Sequence, residues 1–258
     1  MIEVAAPAKL TWFLEVTGRR ADGFHELRAE MVSLAFADTL EIDESADYLV
    51  IEGAPQVAAD ETNLVARALA LVGRRAGVRL IKRIPSGGGL GGGSADAAAI
   101  LRWAGGVDAA AALSLGADVP FCLVGGRALV EGVGERVTPL AFEARRVSLL
   151  LSDFAVDTAR VFRAYDELVA RGERPTGRNH LEAAAVSVEP RLARTLAWAR
   201  EKFGEVTLAG SGSTLFVDSH LDAQRETWRE EGPVGPVRVV QTTTTPEAPT
   251  TYLPAARR

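Results

Sequence analysis

Cysteine is nearly absent from this sequence: Cys122 is the only one in 258 residues. One cysteine closes no intrachain disulfide, so a disulfide scaffold is excluded and a reducing cytoplasm is expected. Histidine is scarce too. His25, His180 and His220 are the three, and they are scattered, which gives no metal-ligand spacing. No apolar run approaches the roughly 18 residues that a membrane helix needs. Residues 1–10 lack a charged stretch followed by an apolar core, so no secretory leader is expected. There is no excess of positive charge. Lys and Arg number 29 against 34 Asp and Glu, a net charge of −5, and this implies no general nucleic-acid surface. There is no internal repeat. What remains is an ordinary globular composition, 47% hydrophobic and 24% charged, long enough for one large or two small domains with real cores.

Glycine, by contrast, is concentrated. Six glycines fall within residues 87–93, in Pro85-Ser86-Gly87-Gly88-Gly89-Leu90-Gly91-Gly92-Gly93-Ser94. A packed strand or helix interior does not tolerate that density, because glycine loses the most backbone entropy on ordering. A strand is predicted before the loop, over 78–84, and a helix after it, over 95–104. Ser94 is the predicted helix cap, and Asp96 adds negative charge to the first turn. Strand, glycine loop and helix N-terminus together make a phosphate cradle. The loop has no lysine, which excludes a P-loop of the G-x-x-x-x-G-K-[ST] type. Gly87, Gly89 and Gly92 formally match a dinucleotide fingerprint, but so dense a run matches it almost by chance.

Along the chain, two strand-like pieces surround Pro7, and a turn is predicted at Asp22-Gly23. Short strands follow over 34–36 and 39–42, split by Asp38, then another over 48–51. A helix is predicted over 64–76. After the loop and its helix come a short helix over 109–115 and a hairpin turning at Gly125-Gly126, with 122–124 as its first strand. Phe142–Arg146 marks a domain boundary, which gives 1–145, 146–245 and a loose tail over 246–258. The second part should open with a strand over 147–151. Helices follow over 158–171, capped by Thr158, and from 178, 191–203 and 223–230. Strands are expected over 206–209, 214–217 and 237–242.

Five motifs occur in order: Ala6-Pro7-Ala8-Lys9-Leu10, Asp22-Gly23-Phe24-His25, the glycine loop, Gly116-Ala117-Asp118-Val119-Pro120, and Gly210-Ser211-Gly212-Ser213. The set resembles the 4-diphosphocytidyl-2-C-methyl-D-erythritol kinase family, within the superfamily of galactokinase, homoserine kinase and mevalonate kinase. The likeness covers Pro7 to about Val217. It implies an α+β, two-domain fold, with an N-terminal domain like domain 2 of ribosomal protein S5 and a ferredoxin-like C-terminal domain. It also implies transfer of the γ-phosphoryl group of ATP, with Mg²⁺, to the 2-hydroxyl of a cytidylated methylerythritol in the non-mevalonate route to isoprenoids. The expected partner is that small molecule alone, with no nucleic acid and no membrane, in a monomer or homodimer.

The residues agree chemically. Phosphoryl transfer needs positioning, charge neutralisation and a group that accepts the hydroxyl proton. Asp118 lies in an otherwise apolar block, where a carboxylate needs a partner. The resemblance makes Asp118 the base and Lys9 its partner. It assigns Pro85, Gly87, Gly88, Gly89, Leu90, Gly91, Gly92, Gly93 and Ser94 to the ATP phosphates, with Ser94 also a candidate for Mg²⁺. Asn63 reads either as an adenine contact or as a helix cap. Phe24 and His25 are implied contacts of the cytosine, with Phe162 across from it or, alternatively, in a helix core. Thr158 and Thr11 are substrate-side candidates. The glycine-serine run near 210 either closes the substrate side or is a tight turn. The chain departs from the family pattern at Thr11 (usually Asn), Phe24 (usually Tyr), Ala95 (usually Ser) and Asp157 (commonly Ser). Three rivals follow: another small-molecule kinase of the same superfamily that takes a different alcohol, an oxidoreductase using the dinucleotide fingerprint, and a catalytically silent ATP binder.

Overall fold

Two long antiparallel strands, β1 (Ile2–Arg19) and β2 (His25–Asp43), carry the first part of the chain in the computed structural model, which describes residues 1–246 and the backbone of 253–254. The sequence suggested shorter pieces here, broken at Pro7 and Asp38. Each break is absorbed instead. Pro7 sits at a register shift in the β1–β2 ladder, where its missing N–H is tolerated. Asp38 stays inside β2, fully buried, because its carboxylate accepts the backbone N–H groups of Arg83 and Ile84 and pairs with Lys82.

β3 (Tyr48–Glu52), α1 (Leu64–Leu71) and β4 (Gly77–Ile81) follow, with β3 and β4 parallel. The helix expected over 64–76 therefore stops at Leu71. The glycine loop leads into α2 (Gly92–Trp103), then α3 (Ala109–Leu115) and α4 (Val119–Val124). α4 replaces the predicted strand at 122–124. Helical bonds from the N–H groups of Cys122 and Gly125 to Asp118 and Phe121 define it, and Gly125, at φ +71°, ends it. β5 (Arg127–Gly132) pairs instead with β2 and with β6 (Arg136–Pro139). One face of this first sheet buries alanines of α2, Leu40, Ile42, Val78, Leu80 and Phe121.

Residues 146–243 form the second sheet, ordered β10 (Thr227–Gly232), β11 (Gly235–Thr243), β7 (Arg146–Leu151), β9 (Leu215–Val217), β8 (Thr207–Leu208). It packs against α5 (Thr158–Ala170), α6 (Glu182–Val188) and α7 (Pro190–Phe203). The helix predicted over 223–230 is absent. Trp228, Glu230 and Gly232 alternate with exposed neighbours, a period-2 pattern, and pair along β11 as β10. The caps differ from expectation as well. Asp157, not Thr158, caps α5 by accepting the Arg160 N–H, and Gly91, not Ser94, occupies the cap position of α2. Of the expected tail, Leu253–Pro254 pair with Ile2 and Glu3 as a two-residue strand, β12, and 247–252 and 255–258 lie outside the described residues. A third apolar cluster, with Leu10, Trp12, Leu34, Ile84, Leu90, Leu149 and Phe216, joins the two sheets. The glycine loop sits on this joint.

Candidate active site

A cavity of about 470 Å³ opens where the two sheets meet. Its walls are the glycine loop, the middle of β1, the turn before α4, the start of α5 and the turn at Gly210-Ser211. Pro85, Gly87, Gly88, Gly89, Gly91, Gly92, Gly93, Ser94, Lys9, Thr11, Asp118, Thr158 and Phe162 all line it. A larger cleft of about 840 Å³ opens between β2 and β11. It contains neither the glycine loop nor Asp118, so phosphate chemistry points to the smaller cavity.

The loop is held from both sides. The Lys9 N–H donates to the Leu90 carbonyl at 3.0 Å, the Thr214 N–H to Gly88 at 3.2 Å and the Val156 N–H to Gly87 at 3.3 Å. Leu90 itself is fully buried and outside the lining. Glycine is required at two positions for distinct reasons. Gly89, at φ +78°, lies so close to the second sheet's turn that a Cβ would stand 2.2 Å from the Ala209 carbonyl. Gly91, at φ +65°, would place a Cβ 2.7 Å from Lys9 Cγ. The bare backbone is thus what lets α2 start directly against the lysine.

Lys9 Nζ stands 3.2 Å from Asp118 Oδ2 and donates to Thr11 Oγ1 at 3.2 Å. The lysine side chain is 7% exposed and the carboxylate 28%, so the pair is sheltered yet open to the cavity on its acid side. Asp118 precedes α4 without capping it, which leaves the carboxylate available for chemistry. Cys122, one turn further, is buried beneath. Burial, then the Asp118 charge, push its thiol up to about 12, so it is no nucleophile at neutral pH.

Not every expected residue reaches this cavity. Asn63 is the cap of α1: its Oδ1 accepts the Val65 N–H at 2.9 Å and its Nδ2 donates to the Ala58 carbonyl at 2.8 Å. It lines a neighbouring cavity of about 230 Å³, which shares Leu64, Lys82, Ser86 and Gly93 with the main one. Phe24 is 65% exposed on the β1–β2 turn and is outside the lining. His25 is stacked on Phe162, with ring centroids 4.7 Å apart. Thr158 Oγ1 lies 2.7 Å from Ser211 Oγ, which ties α5 to the Gly210 turn.

Sequence reasoning missed two supports. Asn179 is buried and donates to the carbonyls of Leu208 and Gly210 at 2.8 and 2.7 Å, which shapes that turn. Lys82, at the other end of the glycine loop, is buried between Asp38 and Asp96, with Asp96 Oδ2 at 2.6 Å. A readable signal was there: Asp38, Lys82 and Asp96 each interrupt an apolar stretch, and a charge so placed needs a partner. Burial pulls the Lys82 pKa down, but the charges of Asp96 and Asp38 outweigh it and hold the ammonium above its usual range. Burial pushes the Asp96 carboxyl up, to about 7, against the pull of Lys82.

Residues 63–126 match the family model for the GHMP kinases N terminal domain, the segment that runs from the cap of α1 through the glycine loop to Asp118 and α4. The 4-diphosphocytidyl-2-C-methyl-D-erythritol kinase of Polaromonas sp. is 38% identical over 254 residues, spanning 83% of this chain and 82% of that protein. The chain belongs to the 4-diphosphocytidyl-2-C-methyl-D-erythritol kinase family. A crystal structure titled 4-(cytidine 5'-diphospho)-2C-methyl-D-erythritol kinase covers 94% of this kinase at 34% identity, with a TM-score of 0.67 and 98% of its own chain matched. The Methanococcus jannaschii mevalonate kinase, 13% identical, covers 95% of this kinase and 98% of its own chain with a TM-score of 0.54, and shows the shared α+β fold. The chain is therefore a kinase that uses ATP on a small molecule. The oxidoreductase reading of Gly87, Gly89 and Gly92 is set aside. Among the described residues, no helix is long and apolar enough to cross a membrane.

Proposed function

We propose that this kinase transfers the γ-phosphoryl group of ATP to the 2-hydroxyl of 4-diphosphocytidyl-2-C-methyl-D-erythritol, a step of the non-mevalonate route to isoprenoid precursors. The observation that carries the chemistry is the Lys9–Asp118 pair, 3.2 Å apart, on a cavity walled by the glycine loop. The substrate comes from the names of the relatives.

In this reading the loop's N–H groups and the start of α2 cradle the phosphates. Asp118 accepts the proton of the 2-hydroxyl as its oxygen attacks the γ-phosphorus and ADP departs. Lys9 pairs with Asp118 and offsets the negative charge that builds on the transferred group. Thr11, which accepts a hydrogen bond from Lys9, orients that ammonium. Among the described residues no three His, Cys, Asp or Glu groups converge on a metal position. That fits Mg²⁺ held mainly by phosphate oxygens, with Ser94, which lines the cavity, as the candidate protein ligand. When bound, the ion neutralises phosphate charge. Asn63, on the adjoining cavity, takes the adenine side. His25, Phe162 and Thr158 take the cytidine side, with Phe24 covering the base from its exposed turn. Residues 1–145 supply ATP binding and the catalytic pair, and 146–245 the opposite wall.

The test is ATP consumption by the purified protein with Mg²⁺ and the cytidylated methylerythritol, beside Asp118→Asn. Turnover by the parent, reduced about 10³-fold or more in the variant, supports reaction, substrate and base together. ATP binding without turnover overturns the substrate assignment.

A further inference from the structure

The imidazole of His25 is held at Nε2, on one ring face and along one edge. Nε2 lies 2.6 Å from Asp166 Oδ1, and Asp166 Oδ2 lies 3.2 Å from Arg19 Nη1. Phe162 stacks on one ring face at 4.7 Å with the planes 25° apart, and Tyr165 meets the ring edge-on at 5.9 Å and 89°. The side chain is 9% exposed. Phe162, Tyr165 and Asp166 are the i, i+3 and i+4 positions of α5, so one helix face supplies all three contacts. Arg19 and His25 are the paired residues that close the β1–β2 hairpin. The end of the hairpin in the first sheet is thereby docked on a helix of the second. The remaining polar atom, Nδ1, has no hydrogen-bond partner among the described residues.

A carboxylate can only accept, so Nε2 carries the proton in this arrangement. In a neutral ring Nδ1 then keeps a lone pair. An acceptor at that point welcomes an exocyclic amine and repels a carbonyl oxygen. Cytosine and uracil differ at position 4 in that one respect.

We propose that Asp166, backed by Arg19, is a positioning residue that fixes the Nε2-protonated tautomer of His25 and thereby makes the site choose cytosine over uracil. The proposal rests on the cytidine reading given above. Asp166 acts through the imidazole and touches no reacting atom, so its removal is expected in KM and in base choice, with kcat little changed.

The experiment compares kcat/KM for the cytidine diphosphate substrate and its uridine analogue. The parent, Asp166→Ala, His25→Ala and the double variant are all measured, together with ¹⁵N NMR of the His25 ring in the first two. Expected is a fall of about tenfold or more in the cytosine/uracil ratio for Asp166→Ala. No further fall is expected when the same change is made in the His25→Ala background, and the Nε2–H signature is expected to weaken in Asp166→Ala. An unchanged ratio overturns the proposal, and so does an equal fall with His25 already removed. If the parent phosphorylates neither compound, the cytidine reading fails. The ring spectra then decide alone, because an Nε2–H tautomer that persists without Asp166 sinks the positioning role.

Discussion

Two lysine–carboxylate clusters meet the first residues of α2, and they are built differently. On one side Lys9 faces a single carboxylate, Asp118, at 3.2 Å, with the acid 28% exposed to the cavity. On the other, Lys82 is enclosed by Asp38 and Asp96, and all three side chains are almost wholly buried. In the first cluster the charges balance and one oxygen can reach a ligand. In the second the acids outnumber the base, Asp38 spends its other oxygen on the N–H groups of Arg83 and Ile84, and Asp96 Oδ1 has no partner. The same pair of residue types thus serves two ends. An accessible, balanced pair can move a proton. A buried, overcrowded one fastens β2, the strand before the loop and the loop's helix to each other.

The sharpest break of this comparison separates activity from stability. Asp118→Asn should lower kcat by about 10³- to 10⁴-fold while the melting temperature stays close to that of the parent, since Asn keeps a side-chain oxygen for the Lys9 ammonium and the acid that loses its charge is the partly exposed member of the pair. Lys82→Met should do the reverse in kind. Removing the one cation leaves two buried carboxylates facing each other, and destabilisation of about 3–5 kcal/mol is expected in chemical denaturation. Equal melting of the two variants would erase the distinction between the clusters.

Gly91→Ala probes the point where the glycine loop touches the first cluster. A left-handed alanine costs about 1–2 kcal/mol, and the new methyl would have to displace Lys9 Cγ, which stands 2.7 Å from its position. A shift of that size at the cation proposed to stabilise the transferred group is expected to reduce kcat by about 10²-fold, read in the same ATP assay. A stability loss with kcat intact would mean that Lys9 can move without consequence.

The first cluster was legible in the sequence because the motifs that carry it are short and ordered, and because phosphoryl transfer demands a base and a cation near a glycine loop. Ala109–Leu115 and β7 were legible for a plainer reason: local periodicity and turn residues agree with the tertiary structure there. The second cluster was not, because Asp38, Lys82 and Asp96 are far apart along the chain and no local pattern says which charge meets which. Their pairing is made by the β2–β4 ladder. The same blindness explains α4 and β10. Cys122-Leu123-Val124 is apolar enough for a strand, and only the Asp118 turn and Gly125 make it a helix. The 223–230 segment has charges at helical spacing, and its partner β11 decides otherwise. The resemblance implies that Phe24 and His25 both contact the cytosine, but no local pattern says where each side chain goes: the strand edge turns His25 onto Phe162 and leaves Phe24 in solvent.

The smallest effect tests whether the buried cluster really carries an excess carboxyl. Burial raises the folded-state pKa of Asp96 to about 7, against about 3.9 for an aspartate in an unfolded chain. Between those values the unfolded protein releases a proton that the folded one retains, so the folded state binds more protons and stability falls as pH rises through this window. Asn at this position keeps the shape and has nothing to titrate. The melting temperature of Asp96→Asn relative to the parent should therefore climb as pH is raised from 5 to 8, whatever its offset at the acid end. Asn loses part of the contact with Lys82, and that loss sets the offset without changing the slope. A difference that stays flat across the range would mean that Asp96 is ionised throughout. The cluster at Lys82 would then be a fully charged triad, differing from the pair at Lys9 in burial alone.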